Sequence, residues 1–174
     1  KDPHIEGTVP LDLVLTRTVQ LIAELEKYRR EKGLHEIAYE VGTEETNGGL
    51  TSADAFGDFL DQLASELGRM GLCLPEFVVG QTGTLTRLTE NIGHFSRENA
   101  KKLTAAAAKY NVGLKEHNGD YLPDHILLEH PHLGITAANV APEFGVAETR
   151  AYLTLARAEA RCIGVSKSSR LAEI

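Results

Sequence analysis

Cysteine is scarce. Cys73 and Cys162 are the only two, and their separation fits no metal-binding or redox spacing. A cysteine-built metal or redox centre is therefore excluded, and the expectation is two buried or half-buried thiols in a reducing cytoplasm. Positive charge is also in short supply. Against 25 Asp and Glu there are 18 Lys and Arg, a formal net charge of -7. A nucleic-acid binder needs a basic face to neutralise phosphates, so that class is excluded. A phosphorylated small substrate stays open, because a few local donors suffice for it. No apolar run approaches membrane-spanning length, so no membrane partner is expected. No secretory signal pattern opens the chain. No serine ends an apolar run where a nucleophile would be presented, which ranks a hydrolase last among the enzyme readings.

What the chain does have is a repeated pattern. Its 174 residues, 42% hydrophobic and 25% charged, are enough for one globular domain with a real core. Four short apolar runs each end in a polar cluster followed by a helix-like segment. The clusters are Glu40-Val41-Gly42-Thr43-Glu44, Gly80-Gln81-Thr82-Gly83, Lys115-Glu116-His117-Asn118 and Asn139-Val140-Ala141-Pro142-Glu143. Strand, polar tip and helix in tandem build a parallel α/β protein, whose chemistry sits at the carboxyl ends of its strands.

The expected elements follow from period and punctuation. A helix is predicted over residues 10–30, with Pro10 at its start and Gly33 as its stop. Strands are predicted over 36–42, 76–80, 112–118 and 134–138. Thr51-Ser52-Ala53-Asp54 opens a helix with the stripe Phe56, Phe59, Leu60, Leu63 and Leu67. A loop is expected from Gln81 to Gly93. Ser96 caps a helix to Tyr110, Pro123 opens a short helix to about Glu129, and a last helix covers about 146–161. The first helix implies a strand before it, with Lys1-Asp2-Pro3-His4 as that strand's tip. Four strands are too few for a closed barrel. The expected fold class is thus α/β, about four consecutive βα units of a (β/α)8 TIM barrel. Residues 1–174 would form a single segment, incomplete at both ends, with exposed sheet edges that favour an oligomer. A small open doubly wound sheet is the alternative.

Strand alternation divides the side chains. Ile37, Tyr39 and Val41 suit the helix-facing side, which turns Glu40 and Gly42 inward. Val112 and Leu114 suit it too, which turns Gly113, Lys115 and His117 inward. Glu40 and Lys115 lie deep enough to neutralise one another, and an ion pair is expected for Lys115 rather than a Schiff base. At the tips, Glu116, His117 and Asp120 bring two carboxylates and an imidazole into five residues. That set suits a divalent metal, zinc or manganese, or a general acid/base pair, with a solvated turn at Asn118-Gly119 as the plain reading. Glu44, with Glu45 and Asn47 nearby, supplies a further carboxylate. Gln81-Thr82-Gly83-Thr84-Leu85-Thr86-Arg87 supplies hydroxyls, backbone donors and one cation, which suit a phosphate or sugar hydroxyls, with a mobile loop as the plain reading. Asp2 and His4 are read as non-functional, and His94, His125, His130 and His132 as surface residues.

Longer strings carry a resemblance. Tyr39-Glu40-Val41-Gly42-Thr43-Glu44, Pro75-Glu76-Phe77-Val78-Val79-Gly80-Gln81-Thr82-Gly83, Lys115-Glu116-His117-Asn118-Gly119-Asp120-Tyr121 and Ala138-Asn139-Val140-Ala141-Pro142-Glu143-Phe144-Gly145 resemble the accessory-subunit family of class II D-tagatose-1,6-bisphosphate aldolases. The resemblance runs in order over nearly the whole chain. Some members carry the label tagatose-6-phosphate kinase, which nothing in these residues supports. The resemblance implies a (β/α)8 barrel longer than this chain, and a partner subunit that stabilises and activates a separate zinc-bearing catalytic aldolase chain. Related chains are ketose 4-epimerases, the alternative function. Glu44, Glu116, His117 and Asp120 are the motif residues carried over as catalytic, with His117 and Glu116 as candidate metal ligands. Lys115, Gln81, Thr82, Asn118 and Asn139 are the candidate substrate-binding residues. No nucleotide cofactor is expected. The expected partners are a ketose or ketose phosphate and a catalytic aldolase subunit, in the cytoplasm.

Overall fold

The computed structural model describes residues 4–5, 9–42 and 50–173. Four strands, β1 (Glu40–Gly42), β2 (Phe77–Gly80), β5 (Gly113–Glu116) and β6 (Ile135–Ala138), form one sheet in the order β1-β2-β5-β6. Every neighbouring pair in it is parallel. The expected parallel arrangement of consecutive βα units is therefore what the chain adopts. The strands are shorter than predicted, and residues 36–39 lie outside β1. The register between β5 and β6 shifts at Leu114/Lys115, where Thr136 Oγ1 donates to the Leu114 carbonyl at 3.1 Å.

Helices α1 (Leu11–Glu31), α2 (Ala53–Arg69) and α3 (Arg97–Ala108) cover the sheet. Ser52 Oγ accepts from the Ala55 amide at 3.4 Å, and Ser96 Oγ from the Asn99 amide at 3.2 Å, so both predicted caps are in place. The predicted stripe of α2 is the centre of the core: Phe56, Phe59, Leu60, Leu63 and Leu67 are all at most 1% exposed. They meet Val78 and Leu114 from the sheet and Leu103 and Ala107 from α3 within one apolar cluster. Each such side chain contributes roughly 1.5–3 kcal/mol before the entropy of ordering is subtracted. Helix α1 is held more lightly, with only Val19 and Ile22 buried. Its tie is polar: Tyr39 Oη donates to Glu26, which also holds Arg29.

Four expectations are corrected here. The segment from Gln81 to Gly93 contains a two-stranded antiparallel hairpin, β3 (Thr86–Arg87) and β4 (Glu90–Asn91). Its strands are only two residues long, too short for a periodic signal. Both cysteines are exposed. His130 is buried at 6% exposure, because the segment after Pro123 folds as two short helices, α4 (Asp124–Leu127) and α5 (His130–Leu133), which turn it inward. The last helix, α6 (Pro142–Ile163), starts four residues earlier than predicted and buries no residue. No helix among the described residues is long and apolar enough to cross a membrane.

Candidate functional site

The two faces of β5 lead to two different polar clusters. Leu114 and Glu116 share the face toward the helices, and Leu114 belongs to the core. Glu116 is fully buried on that side, at the top of the core. Its Oε1 accepts from the Thr82 hydroxyl. Thr84 Oγ1 lies 3.3 Å from the same oxygen but makes its shorter bond to the His117 carbonyl, at 2.6 Å. On the other side, His130 Nε2 stands 3.0 Å from Glu116 Oε2, out of line for a hydrogen bond, so neither atom has a hydrogen-bond partner. Phe95 covers His130, ring centroids 5.3 Å apart. A buried carboxylate survives here because hydroxyls and an imidazole surround it.

Lys115 and His117 occupy the opposite face. Lys115 pairs with Glu40 across the sheet, as alternation predicted. His117 stands beyond Lys115, where β5 ends. Together with Asn118, Asp120, Asn139, Val140, Thr86 and Leu88 it lines a cleft of about 490 Å³. That volume is in the range of small-molecule sites. The cleft lies at the carboxyl ends of β5 and β6, where a parallel α/β protein carries its chemistry. A groove of about 590 Å³ between α2 and α3 is larger, but Asp54, Asp58, Asp61, Lys102 and Lys109 line it on the helix layer, away from the strand ends.

The shape of the cleft is fixed by groups that bridge segments. Asp120 Oδ1 accepts from the Ala141 amide at 2.9 Å and the Glu143 amide at 2.8 Å, at the start of α6. In return Glu143 Oε2 accepts from the Tyr121 amide at 2.7 Å. This is a capping box made between two separate segments, satisfying amides the helix cannot satisfy itself. The Asn139 amide donates to the Glu116 carbonyl and the Gly119 amide to the Asn139 carbonyl, both at 2.9 Å. Asn91 joins the hairpin to the β5 tip. Its Nδ2 donates to the carbonyls of Asn118 and Asp120, at 2.8 and 2.9 Å, and its Oδ1 accepts from the amides of Leu85 and Gly93. Asn91 was missed from the sequence. A lone Asn in a loop has no local mark, although it is the side chain that offers two donors and two acceptor positions at once.

Burial holds the His117 imidazole below its ordinary pKa; the nearby Lys115 ammonium pushes the same way, and Glu40 opposes both. The neutral form is therefore favoured, with one ring nitrogen free of a proton to act as a base. The two candidate metal ligands, Glu116 and His117, do not turn to the same side. Glu116 faces away from His117, since adjacent strand residues point to opposite sides. Among the described residues no group of three His, Cys, Asp or Glu side chains stands where it could hold a metal ion.

Of the predicted site residues, His117, Asn118, Asp120 and Asn139 come together in the cleft. Glu116 and Thr82 do not; both are fully buried and bonded to each other. Gln81 is 4% exposed and does not line this cleft, its backbone being paired with Thr51. Lys115 sits below, tied to Glu40. Asp120 reaches the cleft wall while its carboxylate caps α6. Glu44, Glu45 and Asn47 lie outside the described residues, as does Asp2.

No protein-family model matches the chain, and no curated protein matches it. Solved structures do. A protein described as a probable tagatose 6-phosphate kinase from Sinorhizobium meliloti superposes with a TM-score of 0.75 at 19% identity, over 95% of this chain and 41% of its own. A candidate fructose-1,6-bisphosphate aldolase from Coccidioides immitis superposes with a TM-score of 0.57 at 17% identity, over 95% of this chain and 53% of its own. The chain thus spans about half the length of these structures. At such identities the likeness establishes the fold, a parallel α/β arrangement of the barrel type, and leaves function to the site.

Proposed function

We propose that the cleft at the ends of β5 and β6 binds a ketose, free or phosphorylated, and that the chain serves an aldolase as its sugar-binding subunit. The observation that carries this reading is the convergence of a half-buried His117 with the side-chain amides Asn118 and Asn139 from two adjacent strand ends. Amides both donate and accept, which suits the vicinal hydroxyls of a sugar. A neutral imidazole suits removal of a hydroxyl proton. The names of the two structural neighbours, one a tagatose phosphate protein and one an aldolase candidate, agree with a sugar substrate. The kinase description belongs to the first of these neighbours and is not carried over to this chain.

In this reading His117 takes the proton from the C4 hydroxyl. The C4 oxygen becomes an aldehyde as the C3–C4 bond breaks, and the bonding pair moves into an enediolate over C2 and C3. Asn118 and Asn139 hold the hydroxyls in register. Lys115, the next residue down on the same face, is paired with Glu40 below the cleft, and this pair forms part of the floor beneath His117. An aldolase releases the two halves; a ketose 4-epimerase would turn the aldehyde over and rejoin it. The first bond-breaking step is common to both.

The test uses purified full-length protein, alone and mixed with a catalytic class II aldolase subunit. Cleavage of tagatose 1,6-bisphosphate and interconversion of tagatose and fructose are followed, each with and without added Zn²⁺ or Mn²⁺. Higher cleavage in the mixture, together with direct ketose binding by this chain, is the expected result. Tagatose–fructose interconversion by the chain alone would replace the subunit reading with the epimerase. Failure to bind any ketose would overturn both.

A further inference from the structure

The hairpin beside the cleft carries a side chain that packing does not explain. Thr86 pairs with Asn91 and Arg87 with Glu90, which leaves Leu88 and Thr89 as a two-residue turn. Leu88 has φ +54° and is 85% exposed. Turns of this kind want Gly, Asn or Asp where φ is positive, because a β-carbon crowds the backbone there. A leucine at this point both strains the chain and shows a large apolar side chain to water. Strain retained against such alternatives clusters at functional positions.

The base of the hairpin, by contrast, is fixed. Asn91 ties it to the β5 tip through the Asn118 and Asp120 carbonyls. Its two legs run in contact, with the His94 amide donating to the Gly83 carbonyl and the Ile92 amide to the Leu85 carbonyl, each at 2.8 Å. A β-carbon on Gly93 would come within 2.2 Å of the Gly83 carbonyl oxygen, so glycine alone permits that approach. The tip is therefore held in place over the cleft, whose wall includes both Thr86 and Leu88 alongside His117, Asn118 and Asn139.

Building on the ketose reading, we propose that Leu88 is a substrate-binding residue of the cleft, seating against the carbon face of the bound sugar. A sugar presents hydroxyls at its edge and C–H groups on its faces. The amides of Asn118 and Asn139 suit the edge. Leu88 is an apolar group held by the fold where it can cover a face, and by displacing water it would strengthen the hydrogen bonds beneath.

The test compares the full-length protein with Leu88→Asn, Leu88→Gly and Leu88→Ala. D-tagatose and D-fructose are titrated into each by calorimetry, and each melting temperature and sedimentation profile is recorded. Asn and Gly tolerate the positive φ, so these variants are expected to melt at the wild-type temperature or above it. Loss of one partly buried leucine contact should weaken ketose binding by about five- to thirtyfold. Wild-type affinity in Leu88→Asn and Leu88→Gly overturns the proposal while leaving the ketose site standing. A fall in melting temperature parallel to the fall in affinity also overturns it, by making Leu88 a packing residue. A shift from oligomer to monomer with ketose affinity retained assigns the tip to a second copy of the chain and overturns it too. Absence of ketose binding in the wild type removes the ketose reading and this proposal together.

Discussion

Beneath the cleft, Thr82, Glu116 and His130 form a polar cluster closed on every side. On the opposite face of β5, His117, Asn118 and Asn139 line the cleft. Both clusters come from strand ends and use similar chemistry, and they are one residue apart along β5. The buried one joins the loop after β2 to β5 and α5, and holds the His117 carbonyl in place through Thr84. The open one lines the cleft, with Asn118 Nδ2 steadied by the Thr84 carbonyl at 3.4 Å. The contrast teaches that residue type marks a region as polar, whereas the face of the strand decides whether the polar group holds the protein together or meets a substrate.

The sharpest way to break this contrast is to exchange the two neighbours' losses. His117→Ala should lower the rate by about 10²–10⁴, the usual range for removing a general base, and leave the melting temperature within a degree or two of wild type. Glu116→Ala should do the opposite in kind. It strands the Thr82 hydroxyl and opens a cavity beside His130 in the core, for a loss of about 3 kcal/mol and a melting temperature lower by roughly 6–12 °C. Kinetics and thermal melts on both variants decide the matter; a stable, slow Glu116→Ala protein would place Glu116 in the chemistry after all.

A second test addresses the bridge between the clusters and the hairpin. Asn91→Ala removes two donors and two acceptor contacts at once. A loss of about 1–3 kcal/mol is expected, with faster hydrogen exchange at the Leu85 and Gly93 amides than at amides of α2. Equal exchange would mean that the hairpin is held without Asn91.

The pH dependence separates the regions further. His117 has a folded-state pKa below its ordinary 6.5. Its contribution to stability is thus present above pH 6.5 and lost as pH falls through the lowered value. Activity that depends on the neutral imidazole should show its acid limb below pH 6.5, and His117→Ala should abolish that limb. The smallest expected effect lies far from the cleft. Glu26 is held at about 2, from an ordinary 4.5, chiefly by Arg29 and then by the Tyr39 hydroxyl. Its stabilising tie between α1 and the segment before β1 is present above pH 4.5 and fades as pH falls through about 2. Glu26→Gln should flatten that part of an acid titration followed by thermal melts, and leave the acid limb of activity unchanged.

The sequence by itself determined the parallel α/β plan, the caps at Ser52 and Ser96, the α2 stripe and the pairing of Lys115 with Glu40. Each rests on local period, on a local hydrogen bond or on strand alternation, which are properties of a few neighbouring residues. It also put His117 and Asn139 at one rim with Asp120 at its edge, because parallel strand ends share a rim, whereas Gln81 and Glu116, expected at the same rim, are buried away from the cleft. The tertiary structure alone decided that Glu116 turns to the core, that His130 is buried against it, and that Asp120 spends its carboxylate on the first turn of α6. It alone revealed Asn91 as a bridge and Leu88 as an exposed hairpin tip. Apart from the local turn at Leu88, these roles depend on partners 14 to 34 residues away in the chain, brought close by packing, and no local pattern encodes which partner a buried polar group will meet.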